Sequence, residues 1–156
     1  MKKPQVSVIL PVYNGLPYVR QAVQSILNQT YTNIEFIVVN DGSTDSTGKY
    51  LKKIKDKRCT VISNKENLGI AKSLNIAIKR AKGEFIARMD ADDISLPSRI
   101  QEQIAFMLKN PGIDLCGTWA QLIDKYGKSI GTKKYATDPS QIKTLIYLYN
   151  PLIHPT

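Results

Sequence analysis

Apolar residues along this chain fall into two kinds of run that alternate, and the alternation predicts the architecture. Gln5–Leu10 (Gln-Val-Ser-Val-Ile-Leu) is β-branched and nearly continuous in apolar character, the pattern of a strand covered on both faces. Ile34–Asn40, Cys59–Ser63 and Glu84–Met89 repeat that pattern. Between them the spacing changes to that of a helix with one inward stripe. Pro17–Gln29 carries Val19, Ala22, Val23, Ile26 and Leu27 at that spacing, and Leu68–Lys82 carries Ile70, Leu74, Ala77, Ile78 and Ala81 before Gly83 ends it. Ser46–Lys55 is a further helix, capped by the polar loop Asp41-Gly-Ser-Thr-Asp45.

Pro97 then opens a helix to about Lys109, with Ile100, Ile104 and Met107 or Leu108 inward. Ile113–Ile123 is strand-like, Lys125–Lys128 a turn, Ser129–Tyr135 a short returning strand, and Asp138-Pro139-Ser140 opens a last helix to roughly Leu148. Successive βα units with short connections predict an α/β fold: a mostly parallel central sheet with helices on both faces, in one domain over residues 1–156.

Composition leaves that picture standing. The 156 residues are 42% hydrophobic and 22% charged, and a chain of this size buries roughly 70% of its unfolded surface. No run approaches the ~20 apolar residues of a membrane span. Val6–Leu10, after Lys2 and Lys3, is too short for a signal sequence and is broken by Pro11. Cys59 and Cys116 stand alone in apolar settings, so buried free thiols and a cytoplasmic location are expected, at the inner face of the membrane if anywhere on one. The formal charge of +9, from 22 basic and 13 acidic residues, is concentrated in Lys49–Arg58 and Lys72–Lys82. Such charge attracts phosphorylated substrates, an anionic membrane or nucleic acid. Nucleic acid ranks last, because no recognition-helix, zinc-ligand or aromatic-plus-basic pattern accompanies it.

The unusual polar residues all follow strands. Pro11-Val-Tyr13-Asn14 follows the first, Asn40-Asp41-Gly-Ser the second, Asn64–Gly69 the third, and Asp90-Ala-Asp92-Asp93 the fourth. Ligands bind beyond the carboxyl ends of strands in such sheets. If the extended conformation continues past Met89, Asp90 and Asp92 point to one side, where their mutual repulsion invites Mg²⁺ or Mn²⁺ and phosphate oxygens. A solvated acidic turn that caps the next helix is the plainer alternative. Arg88 alternates onto the same side, to pair with a carboxylate or a phosphate. Pro11–Leu16 contains no Gly-x-Gly-x-x-Gly, which disfavours a dinucleotide oxidoreductase.

In their order and spacing, Pro11-Val-Tyr-Asn14, Val39-Asn-Asp41-Gly-Ser-Thr-Asp45, Glu66-Asn67-Leu-Gly69 and Ala87-Arg-Met-Asp90-Ala-Asp92-Asp93 resemble the family 2 glycosyltransferases of the GT-A fold, over nearly the whole chain. The resemblance implies transfer of a sugar from a nucleotide diphosphate donor of the UDP or GDP type to a saccharide or lipid-linked acceptor. Transfer in the family is usually inverting and aided by Mg²⁺ or Mn²⁺. It also implies residue roles. Tyr13 and Asn14 border the nucleotide pocket, and Pro11 shapes the backbone beneath the base. Asp41 hydrogen-bonds base or ribose, with an Asx turn to Gly42 and Ser43 as its structural alternative. Asp90 lies nearer ribose and diphosphate, Asp92 is the direct metal ligand, and Asp93 shares or replaces it. Asn67 and Gly69 shape the loop.

Two departures qualify the resemblance. Leu74 stands where many relatives carry an arginine, which leaves Lys72 as a substitute cation. The family's general base lies downstream of a segment resembling Asn150-Pro-Leu-Ile-His154-Pro-Thr156, where this chain stops. Glu102 and Asp114 are poor substitutes for that base, and His154 reads as an uncommitted chain end. The expectation is therefore a donor-binding portion with an incomplete acceptor half, poorly active alone and prone to self-association around Leu145–Ile153. A non-catalytic nucleotide-sugar-binding or metal-binding module is the alternative.

Overall fold

The computed structural model describes residues 5–148 and 151–152. These residues divide into two compact units, up to Ala105 and from Phe106. In the first unit, β1 (Val6–Val12) is buried along its whole length because strands lie on both sides of it. It pairs in parallel with β2 (Ile34–Asn40) and with β4 (Phe85–Arg88), while β2 also pairs with β3 (Cys59–Ser63). The sheet order is β3-β2-β1-β4. The chain therefore steps outward from β1 to β3 and then returns to the other side of β1. Right-handed crossovers then place α1 (Val19–Leu27) and α2 (Thr47–Leu51) on one face and α3 (Ile70–Arg80) on the other.

Packing agrees with that topology. Val6, Val8, Leu10 and Val12 join Val19, Val23 and Ile26 of α1, Leu51 of α2, and Ile100 and Ile104 of α4 (Arg99–Lys109) in one core. Ile9, of the opposite parity, joins Ile37, Val39 and Ala77 of α3 in a second core. Ser7 is the buried polar exception. Its hydroxyl donates to Glu35 Oε1 at 2.6 Å and accepts the Gly83 N–H at 2.8 Å. A Cβ at Gly83 would lie 2.6 Å from Ser7 N, so this glycine permits close approach of two backbones. The helix before it already ends at Arg80, capped by Ala81.

The expected parallel sheet and its helices are present, with shorter elements. α2 stops at Leu51 instead of Lys55. Asp56 accepts the Arg58 N–H at 2.8 Å, a side-chain turn that competes with helical hydrogen bonding. Cys59 is a free thiol, and both it and Cys116 are only half-buried. Burial, then the nearby Asp56 charge, pushes the Cys59 thiol up to about 11. Among the described residues no helix is long and apolar enough to cross a membrane.

The second unit holds an antiparallel pair, β5 (Ala120–Ile123) and β6 (Ser129–Lys133), and the helix α5 (Pro139–Leu145). Asp124 closes the connecting turn, where its Oδ1 accepts the N–H groups of Tyr126 and Lys128 at 2.8 and 2.9 Å. The strand expected from Ile113 begins only at Ala120, since residues 113–119 find no ladder partner among the described residues. β6 likewise ends at Lys133. Asp138 caps α5 as its sequence suggests, accepting from Ser140 N and Gln141 N. That helix ends at Leu145, and Ile146, Tyr147 and Leu148 are exposed. His154 lies outside the described residues.

Candidate functional site

Because β1 to β4 run in one direction, the loops that follow them gather at one edge of the sheet. A cleft of about 280 Å³ opens there, lined by Pro11, Val12, Tyr13, Asp41, Asn67, Gly69 and Ile70. Pro11, Tyr13 and Asp41 are residues the sequence points to; Val12 and Ile70 are not. Tyr13 is 46% and Ile70 56% exposed, so the walls offer apolar surface of the kind a flat ring can cover.

Asp41 forms the floor and is only 2% exposed. Its Oδ1 accepts from Asn64 Nδ2 at 2.7 Å and Leu68 N at 2.9 Å, and its Oδ2 accepts from Gly69 N at 2.9 Å. Burial alone would raise its pKa. Hydrogen bonds from the Leu68 N–H, the Asn64 and Ser73 side chains and the Gly69 N–H outweigh burial and hold the carboxyl below its ordinary range. Asp41 thus latches the β3–α3 loop. Gly42 completes the latch, with φ +69° and no room for a Cβ, which would sit 2.4 Å from the Glu66 carbonyl carbon. The Asx turn considered for Asp41 is replaced by these longer-range bonds, and the Ser43 N–H is accepted instead by Asn40 Oδ1, three residues back, at 3.2 Å.

Asn14 stands outside the cleft wall. At φ 49° it occupies the left-handed region that Asn tolerates best among residues with a Cβ. Its Oδ1 accepts from Thr44 N at 2.8 Å and Asp45 N at 3.2 Å, and its own N–H donates to Ser43 Oγ at 3.0 Å. It clamps the β1–α1 loop to the β2–α2 loop. Asp45, through the Thr47 N–H at 2.8 Å, tethers the first turn of α2.

The carboxylate loop departs from the extended form considered above. β4 ends at Arg88, and Asp90–Asp93 turn back, with Asp93 N donating to Asp90 O at 3.4 Å. Strict alternation therefore does not set the directions of Asp90 and Asp92. Arg88 grips Asp90, with Nη2 at 3.0 Å from Oδ1 and 3.2 Å from Oδ2. Asp92 and Asp93 are exposed. Partial desolvation, then the charges of Asp92 and Asp90, push the Asp93 carboxyl up to about 6 against the opposing pull of Arg99 and Arg88. A Cβ built on Gly15 lies 3.6 Å from Ala91 Cβ, which sets this loop beside the β1–α1 loop.

The chemistry of this loop suits a hard divalent cation: crowded oxygen donors, of which Asp90 is paired with Arg88 and Asp92 and Asp93 are exposed. Among the described residues no group of three or more His, Cys, Asp or Glu is placed to hold a metal ion. An ion at this loop therefore needs ligand oxygens as well. The other expected residues take structural places. Asn67 Oδ1 accepts the Gly69 N–H at 2.9 Å, and Leu74 packs on the α3-side core, a place for an apolar side chain. Lys72, Glu102 and Asp114 are exposed.

Two positioning residues gave no signal in the sequence. Gln29, 4% exposed, donates to Leu96 O at 2.7 Å and Ser95 Oγ at 3.2 Å and accepts the Ile100 N–H at 3.0 Å. Arg99 donates to Arg88 O at 2.9 Å. Together they pin both ends of the segment that carries the carboxylates.

Comparison with known proteins places this arrangement. The chain is 44% identical to an uncharacterised glycosyltransferase of Haemophilus influenzae over 97% of its own length and 45% of that protein's. It is 37% identical to one of Methanocaldococcus jannaschii, over 100% of its length and 56% of the relative's. The chain thus spans about half the length of these relatives. Among solved structures, S. aureus TarS in complex with UDP-GlcNAc aligns over 69% of this chain and 32% of that one, with 32% identity and a TM-score of 0.65. The mannosyltransferase of Pyrobaculum calidifontis in complex with GDP-Man and Mn²⁺ aligns over 80% and 37%, with 25% identity and a TM-score of 0.61. The fold is the GT-A fold that the resemblance implied. The model of Glycosyl transferase family 2 matches residues 7–152, and the chain belongs to that family.

Proposed function

We propose that residues 1–156 form the donor-binding portion of a glycosyltransferase, one that moves a sugar from a UDP or GDP donor to a saccharide or lipid-linked acceptor with inversion. One observation carries the reading: an apolar-walled cleft and a crowded carboxylate loop open at the same edge of the same sheet. Bound UDP-GlcNAc and GDP-Man in the two structural neighbours support it.

In this reading Tyr13 and Ile70 flank the base, and Pro11 supports it from β1. Asp41 acts on the nucleotide by holding the Leu68–Gly69 backbone in place from the cleft lining, beside base or ribose. Asp92 would hold Mg²⁺ or Mn²⁺ together with phosphate oxygens, with Asp93 and the Arg88-paired Asp90 as the further carboxylates beside it. A cation held there supplies positive charge against the departing nucleoside diphosphate. Arg88 and Arg99 keep the loop in one position, which favours in-line approach of the acceptor. The acceptor's proton needs a base; Glu102 and Asp114 lie on exposed positions outside the cleft wall, so neither is assigned.

Calorimetric titration with UDP, GDP and NAD, each with and without Mn²⁺, tests the reading. Binding of UDP or GDP strengthened by Mn²⁺, with no response to NAD, is expected. Equal binding of all three, or none, removes the proposal. Metal-stimulated binding with no release of sugar from any UDP- or GDP-sugar, with or without acceptor, identifies a binding module instead.

A further inference from the structure

Parallel strands sort the loops of the first unit by charge as well as by chemistry. The edge that carries the cleft holds Asp41, Asp45, Glu66, Asp90, Asp92 and Asp93. The opposite edge, where the strands begin, receives the ends of helices that run back against them. There the segment between α2 and β3 presents Lys52, Lys53, Lys55 and Lys57, all exposed. Its one acid, Asp56, is taken by Arg58 at 2.8 Å. On the other face of the sheet α3 ends on Lys79 and Arg80, also exposed. Cations at a helix end offset its dipole, which accounts for Lys79 and Arg80. The same account covers Lys52, the C-cap of α2, but not Lys53, Lys55 and Lys57, which lie beyond that helix in the seven-residue segment before β3.

We infer that this strand-start edge is a docking surface for an anionic lipid bilayer, oriented so that the donor cleft faces away from the membrane. The inference is independent of which donor the cleft takes. Charge complementarity carries it, and the composition of the surface selects the occupant. Four of the six cations are loop lysines, compact point charges that need no fixed partner geometry and suit a fluid layer of phosphates. A single-stranded nucleic acid would call for aromatic side chains among them, on which bases stack. The exposed aromatics of the first unit, Tyr13 and Tyr18, lie at the opposite edge. No exposed large apolar residue lies between Lys52 and Lys57, so contact is electrostatic and sensitive to salt.

Sedimentation of the 156-residue chain with vesicles tests this. Equal parts of phosphatidylglycerol and phosphatidylcholine are compared with phosphatidylcholine alone, at low and high salt. Binding to the anionic vesicles only, abolished by high salt, is expected. K52Q/K53Q/K55Q/K57Q lowers that binding by on the order of a thousandfold, with UDP affinity and thermal midpoint unchanged, while K65Q at the cleft edge leaves it intact. Absence of binding to anionic vesicles overturns the inference, as does binding that the quadruple variant retains or that K65Q removes. Tighter binding to a single-stranded oligonucleotide than to the vesicles, lost in the quadruple variant, assigns the surface to nucleic acid and also overturns it.

Discussion

Asp41 and Asp93 are the same residue type in comparable places, each just beyond a strand of the same sheet, and they are in opposite physical states. Asp41 is buried and accepts hydrogen bonds from Asn64, Leu68 and Gly69, so its charge is stabilised and its pKa lies below the ordinary value. Asp93 is partly desolvated without comparable hydrogen bonds to offset it and shares a turn with Asp90 and Asp92, so its pKa rises to about 6. The fold satisfies Asp41 with hydrogen bonds and Asp90 with Arg88, and leaves Asp92 and Asp93 crowded and exposed beside them. A satisfied carboxylate builds the site. A frustrated one is available to a ligand.

The sharpest way to break this contrast is Asp41→Ala. Losing a buried acceptor of several hydrogen bonds strands the Leu68 and Gly69 N–H groups, at a cost of about 3 kcal/mol or more. Thermal unfolding of the variant should show a midpoint lower by roughly 6–12 °C. The sign of the pH dependence follows. A depressed folded pKa contributes stability that is full above the ordinary 3.8 and is lost as pH falls through the lower folded value. The wild-type advantage over Asp41→Ala should therefore shrink in strong acid. A midpoint within a degree of wild type would mean that the latch does not hold the loop.

Gln29→Ala is expected to cost about 2 kcal/mol, since it leaves the Ile100 N–H and Leu96 carbonyl without their partner. The informative readout is a second one. With the carboxylate segment unpinned, Mn²⁺-stimulated nucleotide affinity should fall while metal-free affinity holds. Loss of stability with both affinities unchanged would make Gln29 a core residue and nothing more.

The parts of this molecule that depend on near neighbours in sequence are legible there. Alternating parity in Val6–Val12 foretells two cores, and the helical stripe of Val19, Val23 and Ile26 foretells the face it buries. Polar motifs at strand ends foretell the cleft edge because parallel topology leaves them nowhere else to go. Partnerships across the fold are not legible. Asn14 meets Thr44 and Asp45, and Asp41 meets Leu68 and Gly69, only after the sheet has formed. A motif shows that a polar residue is wanted at a strand end but not whether protein or ligand satisfies it. Gln29 is the extreme case, an ordinary helix-end glutamine whose partners lie near Leu96. In the second unit, the β-like pattern of Ile113–Trp119 has no strand beside it, so the pattern alone makes no ladder.

The smallest effect tests the other side of the contrast. The raised folded pKa of Asp93 means that the native state holds more protons than the unfolded state between about pH 4 and 6. Metal-free stability is therefore penalised as pH rises through that window, and the penalty is complete above it. Asp93→Asn removes it. Its thermal midpoint should exceed wild type slightly near neutral pH and match it near pH 4, with the effect kept small by solvent screening. A variant less stable than wild type at neutral pH would show that Asp93 is satisfied like Asp41.

The central claim is that the crowded, exposed carboxylates Asp92 and Asp93, beside the Arg88–Asp90 pair, receive a nucleotide-bound divalent cation. The most direct measurement is the affinity for UDP and GDP, with and without Mn²⁺, of wild type against Asp92→Asn. The account predicts a Mn²⁺-dependent gain in wild type that falls by about tenfold or more in the variant, because a hydrogen bond or ligand contact to a charged group is worth roughly 1.5–3 kcal/mol. Metal-free affinity and thermal midpoint should stay close to wild type, since Asp92 is exposed. An undiminished Mn²⁺ effect in Asp92→Asn would contradict the account.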